Sequence, residues 1–227
     1  MPGLTNNTPF MNILLTLLLA GLTMVGPLAI DTYLPSFPAI AQTFDASPLM
    51  IQQTLSMFLF CFAFMMLFYG TLSDSFGRRP VILISLVLYI AASIGAAMAP
   101  SIGVLLACRV VQGLAAGAGS VVGRAIVMDR FSGAEAQKIL AHIMMVFGLA
   151  PAIAPVLGGW LQVGFGWRSV FWFLAAFGIL MFISVQRALP ESLAVKDRHP
   201  FHLGPIAKTT GRCCVTTTSC CWPSPWA

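Results

Sequence analysis

The chain has 227 residues, of which 58% are hydrophobic and 8% charged, and its net charge is +5. Soluble domains carry about 25% charged residues, so the composition excludes an ordinary soluble domain and points to a membrane protein. The positive balance does not indicate nucleic acid, because no run of basic residues occurs and the cations sit in short connections.

A hydrocarbon core of ~30 Å takes roughly 20 apolar residues to cross. Six stretches qualify, at about 11–33, 49–70, 80–99, 102–124, 138–160 and 167–188, and together they predict an all-α, six-helix transmembrane bundle over 11–188. Residues 1–10 precede the first stretch. It reads as a retained helix rather than a secretory leader, because no positive charge precedes it and no small-x-small cleavage site follows. Asp31 and Pro35 stand where cleavage would fall.

The second stretch leads into a polar, Gly-punctuated connection, Gly70-Thr-Leu-Ser-Asp-Ser-Phe-Gly-Arg-Arg-Pro80. Around Gly77 it concentrates Asp74, Arg78 and Arg79, three charges in a chain that has few. This predicts a loop that fixes topology and holds helix ends together. A short turn at Pro100 and Ser101 makes the third and fourth stretches a tight hairpin. Within the fourth, Arg109 lies about 12 Å deep at 1.5 Å per residue. The same stretch pairs Gly113 with Gly117 and Gly119 with Gly123, so one side of the helix is nearly bare and suited to close backbone approach in lipid. The fifth stretch reads Gly148-Leu-Ala-Pro151-Ala-Ile-Ala-Pro155-Val-Leu-Gly158-Gly159. Each proline removes a helix hydrogen bond and is expected to bend the chain.

Ten of the twelve Lys and Arg residues fall on one side of this topology: Arg78, Arg79, Arg124, Arg130, Lys138, Arg187, Lys196, Arg198, Lys208 and Arg212. Only Arg168 lies on the other, and Arg109 is inside a span. The asymmetry places both termini in the cytoplasm and, in a bacterium, the protein in the inner membrane.

A charge at the bilayer centre costs at least about 2.5–3.5 kcal/mol on insertion scales, so it normally faces protein or a water-filled cavity. Arg109 cannot shed its charge by deprotonation. It therefore needs an acceptor among Gln112, backbone carbonyls, Asp31 or an anionic substrate group. Asp31, near the outer end of the first stretch, reads either as an interfacial residue wetted from outside or as a coupling carboxylate. A helix shift that changes its burial or its distance from a cation would change its protonation. His142 has no second His or carboxylate at metal spacing and reads as a packed or interfacial histidine. No Ser/His pair, di-Asp motif or metal-ligand cluster lies within the spans, which argues against an intramembrane enzyme and against a bound metal or cofactor.

Five strings together resemble the signatures of the major facilitator superfamily, specifically its proton-coupled drug exporters. They are Gly70–Pro80, Leu105-Leu-Ala-Cys-Arg109-Val-Val-Gln112-Gly113, Gly148–Gly159, and the pair Ala29-Ile-Asp31-Thr-Tyr-Leu-Pro35-Ser-Phe-Pro38 and Leu189-Pro-Glu-Ser-Leu193. The last pair is similar to the bicyclomycin/chloramphenicol-resistance (Bcr/CflA) branch. The resemblance implies the N-terminal half of a transporter that exchanges small amphiphilic drugs for protons, with the proton gradient as its energy source. It places Asp31, Arg109 and Gln112 in the coupling machinery and substrate cavity. Gly70, Asp74, Gly77, Arg78 and Arg79 form a cytoplasmic gate loop, and Gly148, Pro151, Pro155, Gly158 and Gly159 the antiporter helix. The expected partners are the lipid bilayer, a drug substrate, and a second six-helix half or a second copy of the chain.

After residues 189–207, which read as the start of a central cytoplasmic loop, the composition changes. Residues 208–227 hold four of the six cysteines as two adjacent pairs, a spacing unlike that of zinc ligands. This tail reads as disordered and out of frame, leaving a half-transporter without its partner. The alternative is a non-transporting membrane fragment that is degraded or self-associates as a dimer of halves.

Overall fold

The computed structural model describes residues 9–189, with side chains from Leu15 onward. The expectations for residues 1–8, for most of the central loop and for the Cys-rich tail lie outside the described residues. The helices are α1 (Pro9–Asp31), α2 (Phe37–Phe44), α3 (Pro48–Phe76), α4 (Arg78–Ala97), α5 (Ile102–Ala116), α6 (Ala118–Arg130), α7 (Gly133–Phe165) and α8 (Arg168–Ala188). A 3₁₀ turn, Leu34–Ser36, joins α1 to α2. Among the described residues there is no strand, and six segments are long and apolar enough to cross a membrane. The six-helix, all-α expectation is borne out.

Local chemistry explains the starts of the helices. Ser47 precedes Pro48, and its hydroxyl accepts the Met50 amide; Ser101 does the same for Val104 at the head of α5. Both serines satisfy an amide that has no partner within its helix, and proline at the first position sacrifices no hydrogen bond.

Three features differ from the sequence reading. First, the Gly70–Pro80 stretch is not a loop. Helix α3 runs on to Phe76 and α4 begins at Arg78, so Gly77 alone separates them, at φ 99°, a value that excludes most side chains. The helix survives its polar tail because Thr71, Ser73 and Ser75 donate back to the carbonyls of Phe68, Gly70 and Thr71. Second, the fourth crossing breaks at Gly117 into α5 and α6. The Leu114 carbonyl near the break accepts the Tyr69 hydroxyl at 2.6 Å. A freed carbonyl in a membrane needs such a donor. Third, the first crossing does not finish at Tyr33; the 3₁₀ turn and α2 carry it to Phe44. By contrast α7 is one helix of 33 residues through both Pro151 and Pro155.

Packing follows an internal symmetry. The most extensive contacts are α4 on α8, α3 on α5 and α1 on α7, followed by the α4–α5 hairpin. Exchanging the first three crossings with the last three maps the α3–α5 contact onto α7–α1 and returns α4–α8 to itself. Three crossings is an odd number, so the two triplets have opposite senses across the membrane, as in an inverted-topology repeat. Burial is uneven: the most apolar window of the first crossing is 67% buried, against only 17% for α3 and for α7. The first crossing is thus the core element, and α3 and α7 carry the largest uncovered apolar faces.

Candidate functional site

Two polar centres stand out in this apolar bundle. The deeper is Arg109, fully buried on α5. Its Nη1 donates to Gln112 Oε1 at 2.9 Å, one helical turn on, and to the Ala29 carbonyl of α1 at 3.1 Å. Gln112 Nε2 donates to Ser93 Oγ at 2.7 Å, and Ser93 in turn donates to the Tyr89 carbonyl on α4 at 2.7 Å. One hydrogen-bonded chain therefore ties α1, α5 and α4 together in the interior. The guanidinium carbon lies 4.4 Å from the Tyr33 ring centroid and 4.2 Å from that of Phe58. Each such contact contributes about 0.5–2 kcal/mol, the upper end applying where water is excluded. Tyr33 is itself fixed, its hydroxyl bonded to Thr54 Oγ1 of α3 at 2.7 Å.

Of the acceptors expected for Arg109, the structure supplies Gln112 and a backbone carbonyl. Asp31 is not among them: it lies half-buried at the end of α1 and makes no ion pair among the described residues. The Arg109 Nε and Nη2 groups and the Tyr89 hydroxyl are buried without a partner among the described residues. An aromatic cradle, the Gln112 side-chain amide and one backbone carbonyl thus hold the cation with donors to spare.

The second centre surrounds Arg78, which is buried at the junction of α3 and α4. It pairs with Asp74 of α3, donates from Nε to Asp129 Oδ2 of α6 at 3.1 Å, and from Nη1 to Ser73 Oγ. Arg79 points elsewhere, donating Nη2 to the Gln186 carbonyl near the end of α8 at 2.8 Å. Together the two arginines fasten the ends of α3, α4, α6 and α8. Gly70 has open space around it, so its role at this site is not steric.

The glycines of the Gly148–Gly159 string divide. Gly158 lets α7 touch the backbone just past α1, since a Cβ there would sit 2.3 Å from the Thr32 carbonyl oxygen, whereas Gly148 and Gly159 face open space. In the fourth crossing the bare side serves two neighbours rather than one. A Cβ at Gly113 would lie 2.4 Å from the Phe58 carbonyl of α3, and one at Gly119 would lie 2.3 Å from the Leu22 carbonyl of α1.

Residues 15–212 match the sequence profile of the Major Facilitator Superfamily. The chain belongs to the major facilitator superfamily. It is 36% identical to a bicyclomycin resistance protein homolog of Haemophilus influenzae over 82% of this chain and 47% of that protein. It is 37% identical to a multidrug resistance protein, MdtL, of a Shewanella species over 79% of this chain and 45% of that protein. Its fold matches the crystal structure of the human organic anion transporter MFSD10 with a TM-score of 0.66 and 23% identity, over 83% of this chain and 50% of that one. This major facilitator chain therefore spans about half the length of the curated relatives it matches. It is a multi-pass inner-membrane protein of a family of transporters, not enzymes.

Sequence reasoning missed Asp129, Ser93 and the aromatic pair Tyr33 and Phe58. Asp129 had a visible signal, a carboxylate at the inner end of the fourth crossing beside Arg130. The other three did not, because Ser, Tyr and Phe are unremarkable in an apolar span.

Proposed function

We propose that this major facilitator chain supplies the first six-helix half of a proton-driven exporter of small amphiphilic molecules. The carrying observation is Arg109, buried against Tyr33 and Phe58 with no carboxylate partner among the described residues and two donors unused. A cation kept in that condition can engage an acceptor that comes and goes. Asp31 lies two residues beyond Ala29, whose carbonyl Arg109 already holds. Protonation of Asp31 and engagement of Arg109 would thereby act on the same end of α1, with Gln112 setting the guanidinium's orientation. Relatives named for bicyclomycin and multidrug resistance support the cargo class.

In this reading Asp74, Arg78 and Asp129 latch the cytoplasmic end. Gly158 on α7 provides the sliding contact with the chain just past α1, and Pro151 and Pro155 leave carbonyls without helix partners that ease bending. Both termini face the cytoplasm, as the distribution of cations favours. The exposed faces of α3 and α7 favour a second six-helix bundle as the partner, from further chain or from a second copy. The second-copy form is the alternative reading, a dimer of halves without transport.

The test is drug accumulation in proteoliposomes holding this half joined to a second six-helix half, with and without an imposed pH gradient. Asp31→Asn is expected to bind drug while losing the response to the gradient, and Arg109→Ala to lose both. Gradient-driven accumulation that survives both substitutions would overturn the mechanism.

A further inference from the structure

At the end of the bundle opposite Arg78, the chain leaves α1 through Thr32 and Tyr33, passes the 3₁₀ turn and forms α2 as a short arm ending at Phe44. The joint is weakly bonded. Pro35 and Pro38 have no amide hydrogen to give, and Ser36 donates only three residues back, to the Tyr33 carbonyl. A 3₁₀ interruption of this kind is where a helix commonly hinges. At the far end of the arm Asp45 takes φ 47°, a left-handed value uncommon outside glycine, and the chain turns there into α3.

The arm is clasped at its tip. Trp167, just before α8, donates Nε1 to Thr43 Oγ1 at 3.1 Å. The polarity of the pair is matched, because Thr43 spends its own proton on the Ala39 carbonyl at 2.7 Å and has only its oxygen left to offer, while an indole nitrogen can only donate. The Phe44 ring lies 5.5 Å from that of Trp167. From Trp167 a line of rings runs inward: 6.2 Å to Phe171, 5.6 Å from Phe171 to Tyr33, and 4.4 Å from the Tyr33 ring to the Arg109 guanidinium. Tyr33 also meets Phe37, the first residue of the arm, at 5.0 Å. The side chain that covers Arg109 therefore stands at the joint itself, and both ends of the arm bear on it.

With the arm seated, Arg109 Nε and Nη2 are kept from water although neither has a partner among the described residues. Burying such donors is costly, so the seated arm works against their hydration, and one hydrogen bond and a few ring contacts hold it in place. We propose that α2 is a strap, clasped to Trp167, whose release swings Tyr33 off the guanidinium and admits water or an anion to Arg109. The strap operates within this chain and requires no substrate, gradient or second half. A failure of the export proposal would leave it standing, and the reverse also holds.

The test uses the full chain in lipid nanodiscs and two readouts. One is hydrogen exchange of α2; the other is the rate at which phenylglyoxal, a guanidine-selective reagent, modifies Arg109, mapped by mass spectrometry. Both rates follow the population of the opened form. Thr43→Val removes the acceptor at an exposed position and is expected to raise both about fivefold, the factor for one hydrogen bond lost. Trp167→Phe removes the donor and is expected to raise both at least as far. Thr43→Ser keeps the hydroxyl and should behave as the parent chain. Ile126→Val, a buried change of comparable cost nearer the Arg78 end, should leave both rates unchanged. A change in only one of the two readouts, no change in either, or an equal rise with Ile126→Val would overturn the proposal.

Discussion

Arg109 shows how a membrane interior holds a permanent charge without an opposite one. A guanidinium can be served by a carbonyl, a side-chain amide and aromatic faces, and each partner must be held in place by something else. Ser93 performs that task for Gln112. Ser93→Ala would leave Gln112 Nε2 buried without its acceptor, at a cost of about 1–3 kcal/mol, read as a lowered thermal midpoint in mild detergent. The Arg78 cluster separates two carboxylates by exposure. The Asp74 side chain is 48% exposed and pairs at i,i+4, whereas Asp129 is 29% exposed and reaches Arg78 from another helix. Asp74→Asn should therefore cost only about 0.3–0.5 kcal/mol, and Asp129→Asn about 1.5–3 kcal/mol. Hydrogen exchange at the ends of α3, α4 and α6 is expected to rise markedly in the second variant only.

Among the helices, backbone contact rather than side-chain volume sets the spacing at three crossings. Gly113, Gly119 and Gly158 each place α5, α6 or α7 directly on a carbonyl of a neighbour. Alanine at any of them would force a helix to move, a change that typically costs about 1–3 kcal/mol. Gly148→Ala meets open space, and the better helix former should stabilise α7 by up to about 1 kcal/mol. Thermal unfolding of the four variants in one detergent checks the contrast. A uniform response would mean that these glycines are not contact points. The break at Gly117 explains why the fourth crossing can serve two partners: α5 leans on α3 and α6 on α1, with Tyr69 covering a carbonyl near the join.

For the molecule as a whole, the uneven burial is the main physical fact. A single crossing, the first, is largely enclosed, while α3 and α7 leave most of their apolar windows uncovered. Lipid can cover such faces, and so can another bundle. Crosslinking from introduced cysteines on α3 and α7 is expected to report a second six-helix unit beside them. Orientation is tested separately, in a chain cleared of its native cysteines. Ser132→Cys, between α6 and α7, should react only from the cytoplasmic side. Met98→Cys, exposed at the α4–α5 turn, should react only from outside. Reaction of both from one side would refute the topology.

By itself the sequence determined the class of protein, the number of crossings, the end of the bundle that carries the cations, and the need of Arg109 for buried acceptors. These follow from hydrophobicity, length and charge, which accumulate along the chain and do not depend on how helices face one another. Only the tertiary structure decided which groups meet. Ala29 lies 80 residues from the Arg109 it serves, and Asp129 lies 51 from Arg78. The rotation and depth of each helix set such meetings, and the apolar pattern of an almost wholly hydrophobic span constrains neither. A different reason hid the helical character of Gly70–Phe76, where polarity suggested a loop. Backbone hydrogen bonds, reinforced by Thr71, Ser73 and Ser75, carried the helix on to the single glycine that ends it.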